Sequence, residues 1–305
     1  MNKSNIKIDL HMHSYYSDDG EFSPTKLIEK CKENKIKIMS ITDHNCARAN
    51  EEATRVAKEN NIIYISGIEI DCTFKGKNFH VLGYGIDYNS KDFIDIEHDI
   101  DKQSVNASFK RLYSTQELGF SIAGSDMAEI EKYSYWKGHW TGEMFAEVLL
   151  NKEEYIDHPL LKPYRDGGER SDNPYVNFYW DYYSQGKKCY VKIEYPSLEE
   201  VVEIIHKNGG KAVLAHPGVN LNECDEILED ILNTKIDGVE AFSSYHEPNK
   251  GLNFFNFSKK NKKFVTCGSD YHGKTKPSVK LGQTGCLIDE SEIIENIKNN
   301  LVCSN

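Results

Sequence analysis

Over residues 1–90, short apolar runs alternate with stretches whose apolar positions recur at helical spacing. Ile6–Leu10, Ile36–Thr42, Ile62–Ile70 and Phe79–Tyr84 read as strands. Between them Ser23 stands as an N-cap with Pro24 at the first helical position, opening a helix through about Glu33. Glu51–Asn60 reads as a second helix. The final third repeats the rhythm. Ser197 and Glu200 make a capping box, and Leu198, Val201, Val202 and Ile205 supply one apolar helical face that ends at Gly209 and Gly210. Strands follow at Ala212–Ala215, Gly238–Phe242 and Phe264–Cys267. Strands alternating with helices predict βαβ units about a parallel sheet.

The middle of the chain breaks this pattern. Asp99 to about Leu118 reads as a polar, exposed helix, and Tyr133–Tyr183 is crowded with aromatic residues. Arg165–Pro174 (R-D-G-G-E-R-S-D-N-P) has the composition of a loop. Residues 96–190 are therefore expected to form an insertion between two portions of one core, 1–95 and 191–305. A cap over a site and a small helical subdomain with an aromatic core are both compatible with this stretch.

Bulk properties narrow the function classes. The hydrophobic and charged fractions, 39% and 28%, are those of an ordinary globular protein, and no apolar run approaches a membrane span of roughly 20 residues. Met1–Leu10 lacks the long apolar core of a signal peptide, so a cytoplasmic location is expected. The formal net charge of -11 disfavours long nucleic acid, whereas small anions remain acceptable if bound cations reverse the local field. The eight cysteines are scattered without a C-x-x-C pair and read as reduced thiols rather than a metal site.

Histidines and carboxylates fall where the predicted strands end. His11 and His13 follow the first strand, Asp43 and His44 the second, and Glu69 lies near the end of the third. His216 follows Ala212–Ala215, and Asp270 with His272 follows Phe264–Cys267; His80, near the start of its run, fits least well. Any one of these histidines alone would more often be a hydrogen-bonded structural residue, and a lone H-x-H is weak. The joint pattern carries the weight, because strand exits of a βα fold converge on one pocket. Imidazole and carboxylate together suit Zn, Mn or Fe(II).

The segments D-L-H-M-H-S (9–14), S-D-D-G (17–20), T-D-H-N (42–45), G-I-E (67–69), F-H-V-L-G-Y (79–84), L-A-H-P-G (214–218) and G-S-D-Y-H-G (268–273) stand in the order seen in the PHP (polymerase and histidinol phosphatase) family. The chain resembles that family over about 1–90 and 190–305, and most of all its nucleotide and oligonucleotide phosphate subgroup. The resemblance implies a distorted (β/α)7 TIM-like barrel with an inserted, mainly helical subdomain, and two or three divalent ions (manganese, iron or zinc). It assigns His11, His13, Glu69 and Asp270 to one ion, Glu69, His80 and His216 to a second, and Asp18, His44 and His272 to a third. Asp270 is expected to be essential to catalysis, and Asp9 and Asp43 to act behind the ligands. His246 matches a family histidine near the substrate phosphate, with an exposed turn residue as the equal alternative.

The implied activity is metal-dependent hydrolysis of a small phosphorylated metabolite, first a nucleotide such as a 3′,5′-bisphosphate. Histidinol phosphate, 5′-end trimming of short RNA and a non-catalytic metal-binding module are the alternatives. One departure bears on substrate: where the subgroup carries an R-P-H-like phosphate-binding motif, G-H-W-T (138–141) has no arginine. Either Arg165, Arg170 or Lys192 then supplies the charge, or the substrate differs.

Overall fold

The computed structural model describes residues 7–221 and 225–301. Cys224 and Cys303 lie outside them; the other six cysteines form no disulfide, and all but Cys286 are buried. No helix among the described residues is long and apolar enough to cross a membrane.

The chain folds as a mixed α/β protein. Its first part runs β1 (Lys7–Asp9), α1 (Pro24–Glu33), β2 (Ile36–Met39), α2 (Ala49–Glu59), β3 (Ile63–Tyr64), β4 (Gly67–Phe74) and β5 (Lys77–Tyr84). The middle is helical: α3 (Lys91–Glu117), α4 (Gly124–Glu131), α5 (Gly142–Asn151) and α6 (Pro174–Tyr182). Then follow α7 (Leu198–Lys207), β6 (Lys211–Leu214), α8 (Pro217–Asn220), α9 (Asp225–Leu232), β7 (Gly238–Ser243), α10 (Pro248–Lys260), β8 (Phe264–Gly268) and α11 (Glu290–Asn300).

The expected caps form. Ser23 accepts a hydrogen bond from the Lys26 amide at the start of α1, and Ser197 and Glu200 close a reciprocal box on α7. The single strand expected at Ile62–Ile70 is in fact two, in different sheets. The Ile65 amide still bonds Met39, but Ser66 already receives the Gly85 amide and gives its hydroxyl to Ile86. The chain crosses between sheets at Gly67, where a Cβ would stand 2.2 Å from Ser40 Oγ, so only glycine passes.

The strands form two sheets, not one parallel sheet. β1-β2-β3 is parallel throughout. In the sheet ordered β4-β5-β6-β7-β8, β5 runs antiparallel to both neighbours, because β4 and β5 are a hairpin turning at Lys75 and Gly76 with φ of 49° and 77°. Positive φ at both central residues matches the right-handed twist of the arms. Among the described residues no ladder joins the sheets. They meet instead in single bridges beyond the strand ends, Met12 to Tyr271 and His44 to Glu69. Those bridges bring the expected histidines together.

One buried cluster fills the second sheet and its helices, from Ile8 to Ile297, and another packs α1 and α2 on the first sheet. A third belongs to the middle of the chain alone, including Phe120, Trp140, Phe145, Phe178 and Tyr183. The boundary expected at residue 96 falls inside α3, which runs unbroken from Lys91. Replacing Ser197 with alanine removes the hydroxyl that accepts the Glu200 amide, leaves the backbone amide on the Glu200 carboxylate, and should lower stability by about 1 kcal/mol, read as a lower urea midpoint with unchanged slope.

Candidate metal centre

His11 and His13 sit at alternate positions after β1, so both rings project to one side of an extended segment. Their Nε2 atoms lie 3.1 Å apart. Glu69 Oε2 is 3.1 Å from the first and 3.2 Å from the second; Asp270 Oδ1 is 3.2 and 3.1 Å away. All four residues are buried. The His11 Nδ1 atom faces Glu240 Oε1 at 3.0 Å, and a buried carboxylate there accepts, so Nδ1 carries the proton. The Nε2 lone pair then points at a second lone pair and two carboxylate oxygens. Asp270 Oδ1 accepts no hydrogen bond of good geometry despite its two close nitrogens. Four donor atoms converging on one point need a cation or shared protons among them, and the residues therefore fit a divalent ion.

Two further groups share these residues. Glu69 Oε1 lies 2.9 Å from His80 Nδ1 and 3.1 Å from His216 Nε2, so the carboxylate presents one oxygen to each side. His13, His44, His272 and Asp19 make the other group. In it His44 Nδ1 and His272 Nε2 lack hydrogen-bond partners although Asp19 Oδ2 is 3.1 Å from the latter. Asp18, expected here, lies outside the groups: its nearest cationic neighbour is His139, 4.0 Å away. The chain turns tightly just beyond, at Gly20, where a Cβ would stand 1.9 Å from Ser14 O.

Electrostatics give the same demand for positive charge. Burial opposes a charge on His11, but Glu240, Glu69 and Asp270 outweigh it and raise its pKa well above the usual value. His13 rises to about 9 against burial for the same reason, through Asp270 and Glu69. Glu69 and Asp270 are held well below the carboxylate range despite burial, the first by His11, His44 and His80, the second by Lys276, His11 and His272. His272 goes the other way, to about 4, because burial dominates.

Behind these groups stand residues that orient them. Glu240 holds His11 and also accepts the His216 amide at 2.9 Å. Asp71 Oδ1 pairs with His80 Nε2 at 2.9 Å. Asp9 receives the Ser269 and Gly282 amides, and Asp43 the Ser14 amide and hydroxyl, as main-chain anchors. Lys276 Nζ lies 2.6 Å from Asp270 Oδ2 and 4.8 Å from the Tyr245 ring centroid. Asp270 and His216 adopt φ of 55° and 21°, left-handed values that cost roughly 1–3 kcal/mol where a side chain is present and collect at functional sites.

His246 is not the exposed turn residue of the second alternative. It is buried, its Nδ1 donates to Ala241 O at 2.8 Å and its Nε2 accepts the Gly218 amide at 3.0 Å, so no ring proton remains for a substrate. The three expected phosphate cations are also engaged elsewhere. Arg165 bonds the Leu150 and Tyr155 carbonyls, Arg170 pairs with Asp181, and exposed Lys192 pairs with Glu194.

A cavity of ≈ 260 Å³ opens beside the metal groups and under the middle helices, lined by Asp19, His44 and His80 on one side and by Arg111, Trp136, His139, Glu143 and Tyr179 on the other. Trp136 ties the two sides together, its Nε1 donating to Tyr16 O at 2.6 Å. Glu240, Lys276, Arg111 and Glu143 are the residues that sequence reasoning passed over. Only His139 had a signal, as the polar member of G-H-W-T.

Against known proteins, residues 9–167 match the PHP domain, more than half of the chain. A 3′,5′-nucleoside bisphosphate phosphatase of Chromobacterium violaceum is 25% identical over 91% of this chain and 91% of its own length. The 5′-3′ exoribonuclease Rnm of Escherichia coli is 26% identical over 90% and 88%. A solved structure from Bifidobacterium adolescentis described as a metal-dependent phosphoesterase superposes with a TM-score of 0.75 at 23% identity, over 98% of each chain. The chain belongs to the PHP domain family.

Glu240→Gln keeps the shape but no longer fixes the His11 tautomer. Metal affinity should fall about 10- to 100-fold by equilibrium titration with Mn(II) or Zn(II). Because His13 holds its proton up to about 9, metal binding at neutral pH should release protons and weaken as pH falls. Calorimetry in two buffers of different ionisation enthalpy reads that release; its absence would contradict the assigned ligands.

Proposed function

We propose that the chain hydrolyses phosphate esters of the nucleotide type at divalent ions held around Glu69. It is an enzyme, a metal-dependent phosphoesterase of the PHP family. The observation that carries the reading is the convergence of donor atoms from His11, His13, Glu69 and Asp270 beside an open cavity.

We assign His11, His13, Glu69 and Asp270 to one ion, the other oxygen of Glu69 with His80 and His216 to a second, and Asp19, His44 and His272 to a third. Manganese, iron or zinc suits this donor set. When bound, such ions neutralise phosphate charge and lower the pKa of water at neutral pH. The chain's own residues do the positioning. Glu240 and Asp71 fix the imidazoles of His11 and His80, Lys276 holds the outer oxygen of Asp270, and Trp136 brings the middle helices down over the cavity.

We read the two sheets as a distorted (β/α)7 barrel of residues 1–95 and 191–305, supported by the bridges that tie β1 to β8 and β2 to β4 beyond their ends. Residues 96–190 then form the cap, suspended from α3 and built on its own aromatic core. Nucleotide-type esters stand first as substrates because the relatives named above act on a nucleoside bisphosphate and on RNA. Histidinol phosphate is the competitor to include in any panel.

Asp270→Ala removes one donor and the partner of Lys276. Metal-dependent phosphate release from a panel of nucleotides and sugar phosphates should fall below about one-hundredth of the wild-type rate. Full activity in that variant would remove the site assignment.

A further inference from the structure

One side chain on the cap side of the cavity has a geometry that the metal ligands leave unused. His139 lines the cavity across from His44 and His80 and is buried. Its Nε2 lies 2.7 Å from Asp101 Oδ1 on α3, and a carboxylate there accepts, so Nε2 carries a proton. The Trp136 ring stacks on the imidazole, with centroids 5.3 Å apart and 15° between the planes. The main chain is pinned on both sides. Gly138 takes φ of 79° just before the histidine, and the Trp140 amide just after it donates to Ser108 Oγ of α3 at 2.8 Å. The ring is thus held at one nitrogen, on one face and at its backbone. Its other nitrogen, Nδ1, makes no hydrogen bond among the described residues and stands 4.0 Å from Asp18 Oδ2, another residue of the cavity wall.

An aspartate that fixes one imidazole nitrogen leaves the other to hold or release a proton at a set place. Hydrolysis of a phosphate ester has a use for such a group. When the ester bond breaks, its electron pair stays on the leaving oxygen, and a sugar or nucleoside alkoxide departs slowly unless it is protonated as it leaves. The other candidates near the donors are engaged. His246 has both nitrogens bonded, Lys276 is tied to Asp270, and buried Glu143 is bonded to Thr141. Burial makes the Tyr179 and Tyr195 phenols weaker acids than usual.

We propose that His139, oriented by Asp101, donates the proton to the leaving oxygen of the substrate. The inference rests on the phosphoesterase reading and supplies the leaving-group half of that reaction. In this step the oxygen of water forms the new bond to phosphorus and gives one proton to solvent. The P–O ester bond breaks, the departing oxygen takes the proton from Nδ1, and the imidazole regains a proton from solvent. His139 is then a catalytic residue and Asp101 a positioning residue.

The test uses the full chain with Mn(II) and two kinds of ester, with kcat/KM from product release. One is an alkyl phosphate, the better turned over of adenosine 5′-monophosphate and fructose 6-phosphate. The other is p-nitrophenyl phosphate, whose phenolate leaves without a proton. His139→Gln should lower kcat/KM for the alkyl ester about 100-fold, and at least about tenfold more than for the aryl ester. Asp101→Asn, at a partly exposed position on α3, should give the same split at smaller size, and it carries the test if the first variant does not fold. Equal losses on the two esters, in whichever of these variants folds, would mean that the pair only tethers the chain, and would overturn the proposal. So would a split that appears in Glu143→Gln and not in His139→Gln. Both of those outcomes leave the phosphoesterase reading standing. Release from no ester by the wild-type chain would remove that reading and this inference with it.

Discussion

Four donor atoms facing one another, in need of positive charge among them, is the constraint on which the rest depends. Nε2 of His11 and His13, one oxygen of Glu69 and one of Asp270 all lie within 4.8 Å of one another in a buried place. Like partial charges in a poorly solvated site repel, and a protein tolerates that only where a cation is to be bound or protons are taken up. Other features are consequences. Glu240 keeps the proton of His11 on the far nitrogen, and left-handed backbone at His216 and Asp270 turns these side chains inward from strand exits. A Cβ at Gly268 would stand 2.2 Å from that of His11, so the approach of β8 to the first strand also requires glycine.

Much of this was legible because strand exits are a property of sequence order. Apolar runs ending in His-x-His or Asp-x-His mark both the element and the pocket side, and the N-caps at Ser23 and Ser197 fix where helices begin. Failures occurred where three-dimensional packing decides between neighbours. Asp18 and Asp19 are equivalent in a linear pattern, and only their placement in three dimensions sets Asp19 beside His272. Ile62–Ile70 reads as one apolar run, yet the chain changes sheets at Ser66 because that residue's partners come from the turn after β5. His246 has the right neighbours in sequence, but a carbonyl and an amide occupy both ring nitrogens.

The residues passed over share a different cause. Lys276 lies in a segment with Lys274 and Lys280, where a charge run ordinarily means a solvated surface. Its 4% exposure arises only because the coil after β8 folds back over Asp270. Burial opposes its charge while Asp270, Tyr245 and Asp19 favour it, and the net effect is an ammonium held firmly in the protonated form. Arg111 likewise faces inward from α3, a helix whose polar composition reads as exposed, because α5 and the aromatic stretch cover that side.

The loop of residues 14–20 connects the two halves of the chemistry. It supplies Asp19 to a group of candidate metal donors, Ser17 to both His13 and the His44 amide, and the Tyr16 carbonyl to Trp136 of the middle region. One short segment thus touches both the middle helices and the donors around Glu69. A protein of net charge -11 can handle an anion all the same. Divalent ions held among the histidines would make the local field positive in an otherwise acidic protein.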